Sequence, residues 1–221
     1  MKKLVIFDFD GTLLDTITDV AICFNDALAA CGQPGHSLKA FDNFVGGNLE
    51  TVVSRMLPPA AKEDAEIIDQ VKTAYRERYL ASDKPNTKPY FGVMEMIAMV
   101  QSAGAKLAVH TNKGQQLTDA LVAKLFPDVS FCAVVGYDET RPSKPDPDGV
   151  IRICQAAHCT LDEAIYVGDG KTDLDTAANA GIPCVLAAWG QTKPEDITDP
   201  RVAFCAYTVA EATSWIREEL T

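Results

Sequence analysis

The chain carries few histidines, a deficit of basic residues and no long apolar run. Its three histidines, His36, His110 and His158, lie far apart, which argues against a histidine-built zinc centre. Twenty lysines and arginines face 31 acidic residues, a formal net charge of −11 at pH 7. Nucleic acid and anionic membrane surfaces require a basic footprint, so neither is expected as a partner. No stretch approaches the ~18 or more apolar residues of a membrane span. The apolar run near the N-terminus covers residues 4–7 before Asp8 and Asp10 interrupt it. That is short of the roughly 7–15 residues of a secretion signal, and a cytoplasmic protein is expected. Cysteine is present but patternless: Cys23, Cys31, Cys132, Cys154, Cys159, Cys184 and Cys205 form no Cys-x-x-Cys pair. Packed, reduced thiols are expected. None is followed six residues later by arginine, which excludes a Cys-x5-Arg nucleophile. "IYVGDGKTDLDTA" ends its turn in Gly-Lys-Thr like a nucleotide-binding P-loop, but the glycine which that loop needs five positions before Gly170 is Ile165.

What is present is alternation. Short runs rich in Val, Ile, Leu, Phe and Ala recur at 4–7, 106–109, 131–135, 164–167 and 184–188, with a weaker one at 202–207. Continuous apolarity marks strands buried on both faces, and the helical patterns between them (92–103, 115–125, 148–157, 172–180, 209–220) mark a doubly wound parallel sheet. Gly104 and Gly181 stand just past two of these helices as stop signals. About eighty residues after the first strand lack a convincing strand. Helices are predicted there at 16–31, 49–57 and 62–80. The expected organisation is therefore an α/β Rossmann-like core, residues 1–14 and 85–221, with an inserted α-helical cap at 15–84.

In an open parallel sheet, ligands bind beyond the carboxyl ends of the strands. The first strand ends in "FDFDGT", offering Asp8 and Asp10 on one side and Phe9 on the other. The second ends in "VHTNK" with Thr111, Asn112 and Lys113; the third leads to Arg141 and Lys144; the fourth ends in "VGDGKTD" with Asp169 and Asp173. Crowded buried carboxylates repel one another, and a hard divalent cation with oxygen ligands relieves this. Mg²⁺ on Asp8, Asp10, Asp169 and Asp173, with the Lys144 charge, would neutralise a phosphoryl group. Asp8 is then placed to attack phosphorus, and Asp10 to protonate the departing alkoxide.

"DFDGTLLDT", the threonine of "VHTNK", the lysine of "RPSKPDP" and "GDGKTD" resemble, in order, the four motifs of the haloacid dehalogenase-like hydrolases. The resemblance covers nearly the whole chain and is nearest to phosphoglycolate phosphatases and their relatives, whose substrate-facing loop "FVGGNLETVVSRML" is similar to. It implies that Asp8 becomes an aspartyl-phosphate and that Asp10 is the general acid and base, its backbone carbonyl serving the metal. It further implies that Thr111 and Asn112 bind phosphate, that Lys144 steadies nucleophile and phosphate, that Asp169 is a metal ligand and that Asp173 supports it. Gly170 departs from the pattern, since many relatives carry serine or threonine there. Gly46, Gly47 and Asn48 are expected to meet the substrate from the cap, which would act as a lid; the alternative is a plain helix-preceding turn with Asn48 as cap. Asp15 and Asp19 read as charges at a helix start, His110 as a core histidine, Lys171 and the cap arginines Arg55, Arg76 and Arg78 as solvated.

The expected activity is hydrolysis of a small phosphorylated metabolite, phosphoglycolate first, by a Mg²⁺-dependent phosphomonoesterase that is a monomer or a homodimer. A sugar phosphomutase is the alternative, with Thr12 favouring hydrolysis; pyrophosphatase, nucleotidase and binding-protein readings rank lower.

Overall fold

The computed structural model describes all residues, Met1–Thr221. The chain forms two compact units, Met1–Leu14 with Pro89–Thr221, and Asp15–Lys88.

The first unit is an α/β layer structure. Strands β1 (Leu4–Phe7), β4 (Lys106–Gly114), β5 (Ala133–Tyr137), β6 (Ala164–Gly168), β7 (Cys184–Ala187) and β8 (Val202–Ala206) form one sheet in the order β5-β4-β1-β6-β7-β8. All neighbours run parallel. Such a sheet must be covered on both faces, which is why its central strands read as unbroken apolar runs. Leu4, Ile6 and Tyr166 point into one core layer with Val150, Ile153 and Leu174. These last three come from helices α6 (Asp148–Ala157) and α7 (Lys171–Ala180). Helices α4 (Val93–Ser102) and α9 (Val209–Leu220) pack against each other, and α5 (Gln115–Leu125) against β4 and β5. A four-residue helix, α8 (Pro194–Ile197), precedes β8. The connection from β5 crosses back over β1 to β6, so the strand order reverses beside β1. The reversal opens a crevice at the end of that strand, where Asp8 lies.

The second unit is helical: α1 (Ile17–Ala30), a 3₁₀ turn at Leu38–Asn43, α2 (Leu49–Met56) and α3 (Ala65–Ala81). An aromatic stack fastens it, with the Phe24 and Tyr75 rings 3.7 Å apart at 7°. Helix α3 starts later than its apolar pattern suggested, because Asp64 caps it, accepting from Glu66 N at 3.0 Å and Ile67 N at 3.2 Å. Two short strands without a sequence signal, β2 (Leu14–Asp15) and β3 (Lys88–Pro89), pair where the chain leaves the first unit and returns. Strand β4 runs five residues further than its apolar stretch, ending at Gly114 instead of residue 109. Beyond His110 its polar end pairs with β5 alone, through Gly114 opposite Tyr137, after a shift of register.

Asp19 lies in the first turn of α1, as expected, and does more there than charge a helix start. It is buried, and its carboxylate accepts from Asn86 N at 3.0 Å, Asn86 Nδ2 at 2.8 Å and Thr87 Oγ1 at 2.6 Å. It ties the first helix of the unit to the segment that closes it. Arg55 is not merely solvated either: its Nη1 donates to the carbonyls of Phe44 (3.1 Å), Val45 (3.4 Å) and Gly46 (2.6 Å). No helix of the chain is long and apolar enough to cross a membrane. All seven cysteines are free thiols, with Cys23, Cys154 and Cys184 buried.

Candidate active site

The carboxyl edge of the sheet brings the charged residues of four strand ends together. Asp8 follows β1 directly, its backbone N–H donating to Val167 O at 2.8 Å, so its direction is set by the sheet ladder. Phe9 turns into the core against Phe126. Gly11, at φ +81°, then turns the chain, and a Cβ there would collide with the Asp169 carboxylate and with Gln191. Asp169 follows β6, and Asp173 lies in the first turn of α7, where its carboxylate accepts from Gly170 N at 3.2 Å. Asp8, Asp169 and Asp173 are all buried, and each can offer an oxygen within 4.8 Å of the others.

Lys144 stands among them. Its ammonium, 4% exposed, donates to Asp8 Oδ1 at 2.7 Å, Asp173 Oδ1 at 2.7 Å and His110 O at 3.2 Å. All three of its donors are used. Burial opposes its charge, but Asp173 and Asp8 outweigh that and hold its pKa well above the ordinary value. Asp8 does not show the depressed pKa that an ion pair usually confers. Burial first, then the Asp173 charge, raise it to about 7 against the pull of Lys144. Asp169 is likewise raised well above its ordinary value, by burial and then by Asp8 and Asp173, although Gln191 N–H opposes this. The two observations agree once charges are counted: one ammonium serves three carboxylates, so the cluster lacks positive charge. The donors are all oxygens, which suits a hard divalent cation such as Mg²⁺.

Other predicted residues take more specific places. Asp10 is outside the carboxylate trio, and its Oδ2 lies 3.0 Å from Lys113 Nζ. Thr111 is buried, and its Oγ1 accepts from Lys113 N at 3.2 Å. Both ends of the Asn112 amide are engaged by the main chain of Lys144: Nδ2 donates to Lys144 O at 3.2 Å, and Oδ1 accepts from Lys144 N at 3.0 Å. His110 faces the opposite way, as alternation required. It is buried, with Tyr166 OH 3.3 Å from its Nδ1, and burial followed by the Lys144 charge keeps its pKa well below the ordinary value. Lys171 is exposed and pairs with Asp175 at 3.0 Å. Gly46 and Gly47 belong to the helical unit, at φ +97° and +98°. There Asn48 caps α2, its side chain accepting from Thr51 N at 2.9 Å.

A loop without any motif completes the edge. Residues 188–192 follow β7 and fold onto the two acidic turns. Gln191 N donates to Asp169 Oδ2 at 2.8 Å, Thr192 Oγ1 to Asp169 O at 2.5 Å and Trp189 Nε1 to Thr12 O at 3.1 Å. Its signal in the sequence was slight, a Trp-Gly pair after an apolar strand. Lys113 was visible only as one polar residue among several at a strand end.

The sequence profile of the haloacid dehalogenase-like hydrolase family matches residues 5–187. A phosphoglycolate phosphatase of Mesorhizobium japonicum is 33% identical over 192 residues, 86% of this chain and 85% of its own. One from Pseudomonas putida is 29% identical over 205 residues, 90% of this chain and 75% of its own. Among solved structures, a protein of Lactobacillus delbrueckii subsp. bulgaricus superposes with a TM-score of 0.89 at 25% identity, covering 98% of this chain and 99% of that one.

Proposed function

The chain belongs to the haloacid dehalogenase-like hydrolases and is a phosphatase of that superfamily, and from this premise we propose that it hydrolyses a small phosphorylated metabolite, phosphoglycolate first, with Mg²⁺ and through an aspartyl-phosphate. The observation that carries this reading is the Lys144 ammonium, 2.7 Å from both Asp8 and Asp173 within a buried, charge-deficient carboxylate cluster. Relatives named for phosphoglycolate support the substrate.

Asp8, Asp169 and Asp173, with the Asp10 main chain, would hold Mg²⁺, which when bound neutralises the charge of the phosphoryl group. Lys144 fixes one oxygen of Asp8 and leaves the other to act. That oxygen attacks phosphorus, the P–O bond to the leaving group breaks, and its electron pair goes to the departing oxygen, which takes a proton from Asp10. In the second half, Asp10 takes a proton from water as the water oxygen attacks phosphorus. The bond to Asp8 breaks and returns the carboxylate. The net change is phosphate ester plus water to alcohol plus inorganic phosphate. Thr111 Oγ1 accepts from a backbone N–H and keeps its own proton to donate to a phosphoryl oxygen. Asn112, tied at both ends to the Lys144 main chain, serves the phosphate by locating Lys144. The helical unit governs substrate choice; Asn48 Oδ1 is taken by its helix, and the Asn48 Nδ2 together with backbone N–H groups near Gly46 and Gly47 makes that contribution.

The test is phosphate release from phosphoglycolate, sugar phosphates, nucleoside monophosphates and pyrophosphate, with Mg²⁺ and with a chelator. Asp8→Asn is expected to fold and to lose turnover altogether. A folded, active Asp8→Asn protein refutes the nucleophile assignment, and interconversion of sugar phosphates without phosphate release would make the enzyme a mutase.

A further inference from the structure

The mechanism leaves one buried charge without a task. The Lys113 side chain is 5% exposed, yet its ammonium reaches Asp10, whose own side chain is 30% exposed, at 3.0 Å. The Lys113 main chain is anchored on several sides. Its N–H donates to Thr111 Oγ1 at 3.2 Å, and Thr118 Oγ1 donates to its carbonyl at 3.3 Å. Gly136 of β5 approaches so closely that a Cβ there would press on the Lys113 carbonyl and on Gln115. The β4–β5 register shifts between His110 and Gly114, the kind of irregularity that re-aims side chains at a strand end. Asp10, in contrast, sits on a turn made by Gly11 at φ +81°. One partner of the pair is thus fixed to the sheet, and the other rides on a glycine turn.

We infer that Lys113 is the positioning residue of the proton donor, an anchored cation that sets where the Asp10 carboxyl stands relative to the leaving oxygen. The inference rests on the reading of Asp10 as general acid. A second role for Lys113, binding the transferred phosphoryl group, is disfavoured by geometry, because its ammonium is engaged with Asp10 and Lys144 already serves Asp8. Charge counting agrees: Lys113 offsets Asp10 as Lys144 offsets one member of the trio, which leaves the remaining two carboxylates for one divalent cation.

The experiment separates leaving groups. An alkyl phosphate such as glycerol phosphate needs its oxygen protonated on departure, whereas p-nitrophenyl phosphate releases a phenolate that leaves unaided. The rate to read is the pre-steady-state burst of alcohol release, because the later water step also uses Asp10 and is common to both esters. Lys113→Met is expected to lower the burst rate on the alkyl ester about tenfold or more, part of the ~10²–10⁴ that general acid help is worth. On the nitrophenyl ester the burst rate should change less than about threefold, and the inhibition constant for inorganic phosphate should stay put. Lys113→Arg keeps the charge and should recover most of the alkyl-ester rate; Lys113→Gln carries the test should the methionine variant not fold. Equal slowing of both esters, or weakened inhibition by phosphate, overturns the inference. Asp10→Asn is the control that distinguishes the two levels. If it is selective between the esters and the Lys113 variants are not, Lys113 has no positioning role. If Asp10→Asn itself shows no selectivity, the assignment of Asp10 as acid fails, and this inference with it.

Discussion

Gly190 has no side chain because there is no room for one: a Cβ at that position would fall on the Gly11 carbonyl and on the Asp169 side chain. The loop it belongs to gives Asp169 Oδ2 the Gln191 N–H at 2.8 Å, which turns that carboxylate toward its acidic neighbours. Gly190→Ala must push the loop away and release Asp169. The expected result is a Mg²⁺ affinity lowered about 10- to 100-fold, the usual cost of losing an outer contact to a metal ligand. Titration followed by Trp189 fluorescence measures it, since that indole is bonded to Thr12 O in the first acidic turn. An unchanged affinity would show that the loop does not orient Asp169. Gly170 is the contrasting case: nothing lies within 4 Å of its missing Cβ. The serine of many relatives would fit there without strain. The same distinction explains which site residues could be read in advance. Asp8, Asp10, Asp169, Asp173 and Lys144 announce themselves because strand ends are where such chemistry collects. Gly190, Gln191 and Lys113 act through main-chain contacts or through another side chain, and composition at a strand end carries no record of that. Asn48 and Asn112 were visible as polar residues in the right segments, but only the fold commits Asn48 Oδ1 to a helix N–H and both ends of the Asn112 amide to the Lys144 main chain.

At the scale of elements, the helical unit is closed by one carboxylate. Asp19 sits on α1 and accepts three hydrogen bonds from Asn86 and Thr87, more than sixty residues away in sequence. Removing a buried acceptor strands every donor aimed at it. Asp19→Ala should therefore cost about 2–4 kcal/mol in the stability of this unit. Hydrogen exchange would locate the damage, with the Asn86 amide losing protection first while the amides of β1 keep theirs. Equal loss of protection in both units would mean that Asp19 acts on the whole molecule. The sequence placed Asp19 at a helix start, where the structure has it, but its tie to Asn86 and Thr87 was not legible, because those partners are neutral and distant. Elements fixed by local rules were legible. The central strands were betrayed by apolar runs, and glycine marked the ends of α7 and of the helix before β4. Elements fixed by pairing were not. Strands β2 and β3 are two residues each, and the polar end of β4 is continued only by its pairing with β5 at Tyr137.

For the whole molecule, acidity and fold converge on one consequence. The chain carries −11 at pH 7, and the doubly wound order concentrates three of its carboxylates behind a single ammonium. The alternation of strands and helices made the parallel sheet readable, and the sheet in turn decided where those charges would meet. It could not say how short of positive charge the meeting point would be. In the metal-free protein, Asp8 titrates near pH 7 in place of its ordinary 3.8, chiefly because it is buried and next because Asp173 repels it. A carboxyl whose pKa rises on folding binds its proton more tightly when folded. Its stabilising share is whole below the unfolded value and fades as pH climbs through the folded one. Asp169 is raised as well and acts in the same sense. The exposed Glu163, pushed down to about 2 by its bond to Lys3, exerts its smaller opposite effect below this window. From pH 5 to pH 8, then, the chelated protein should lose melting temperature. Added Mg²⁺ should restore several degrees at pH 8 and little at pH 5, where protons already occupy the cluster. Asp8→Asn should flatten the metal-free profile because it removes the titrating charge. Thermal melts at the two pH values, with Mg²⁺ and with chelator, decide the matter: an equal Mg²⁺ effect at both would mean that the buried carboxylates do not hold the ion.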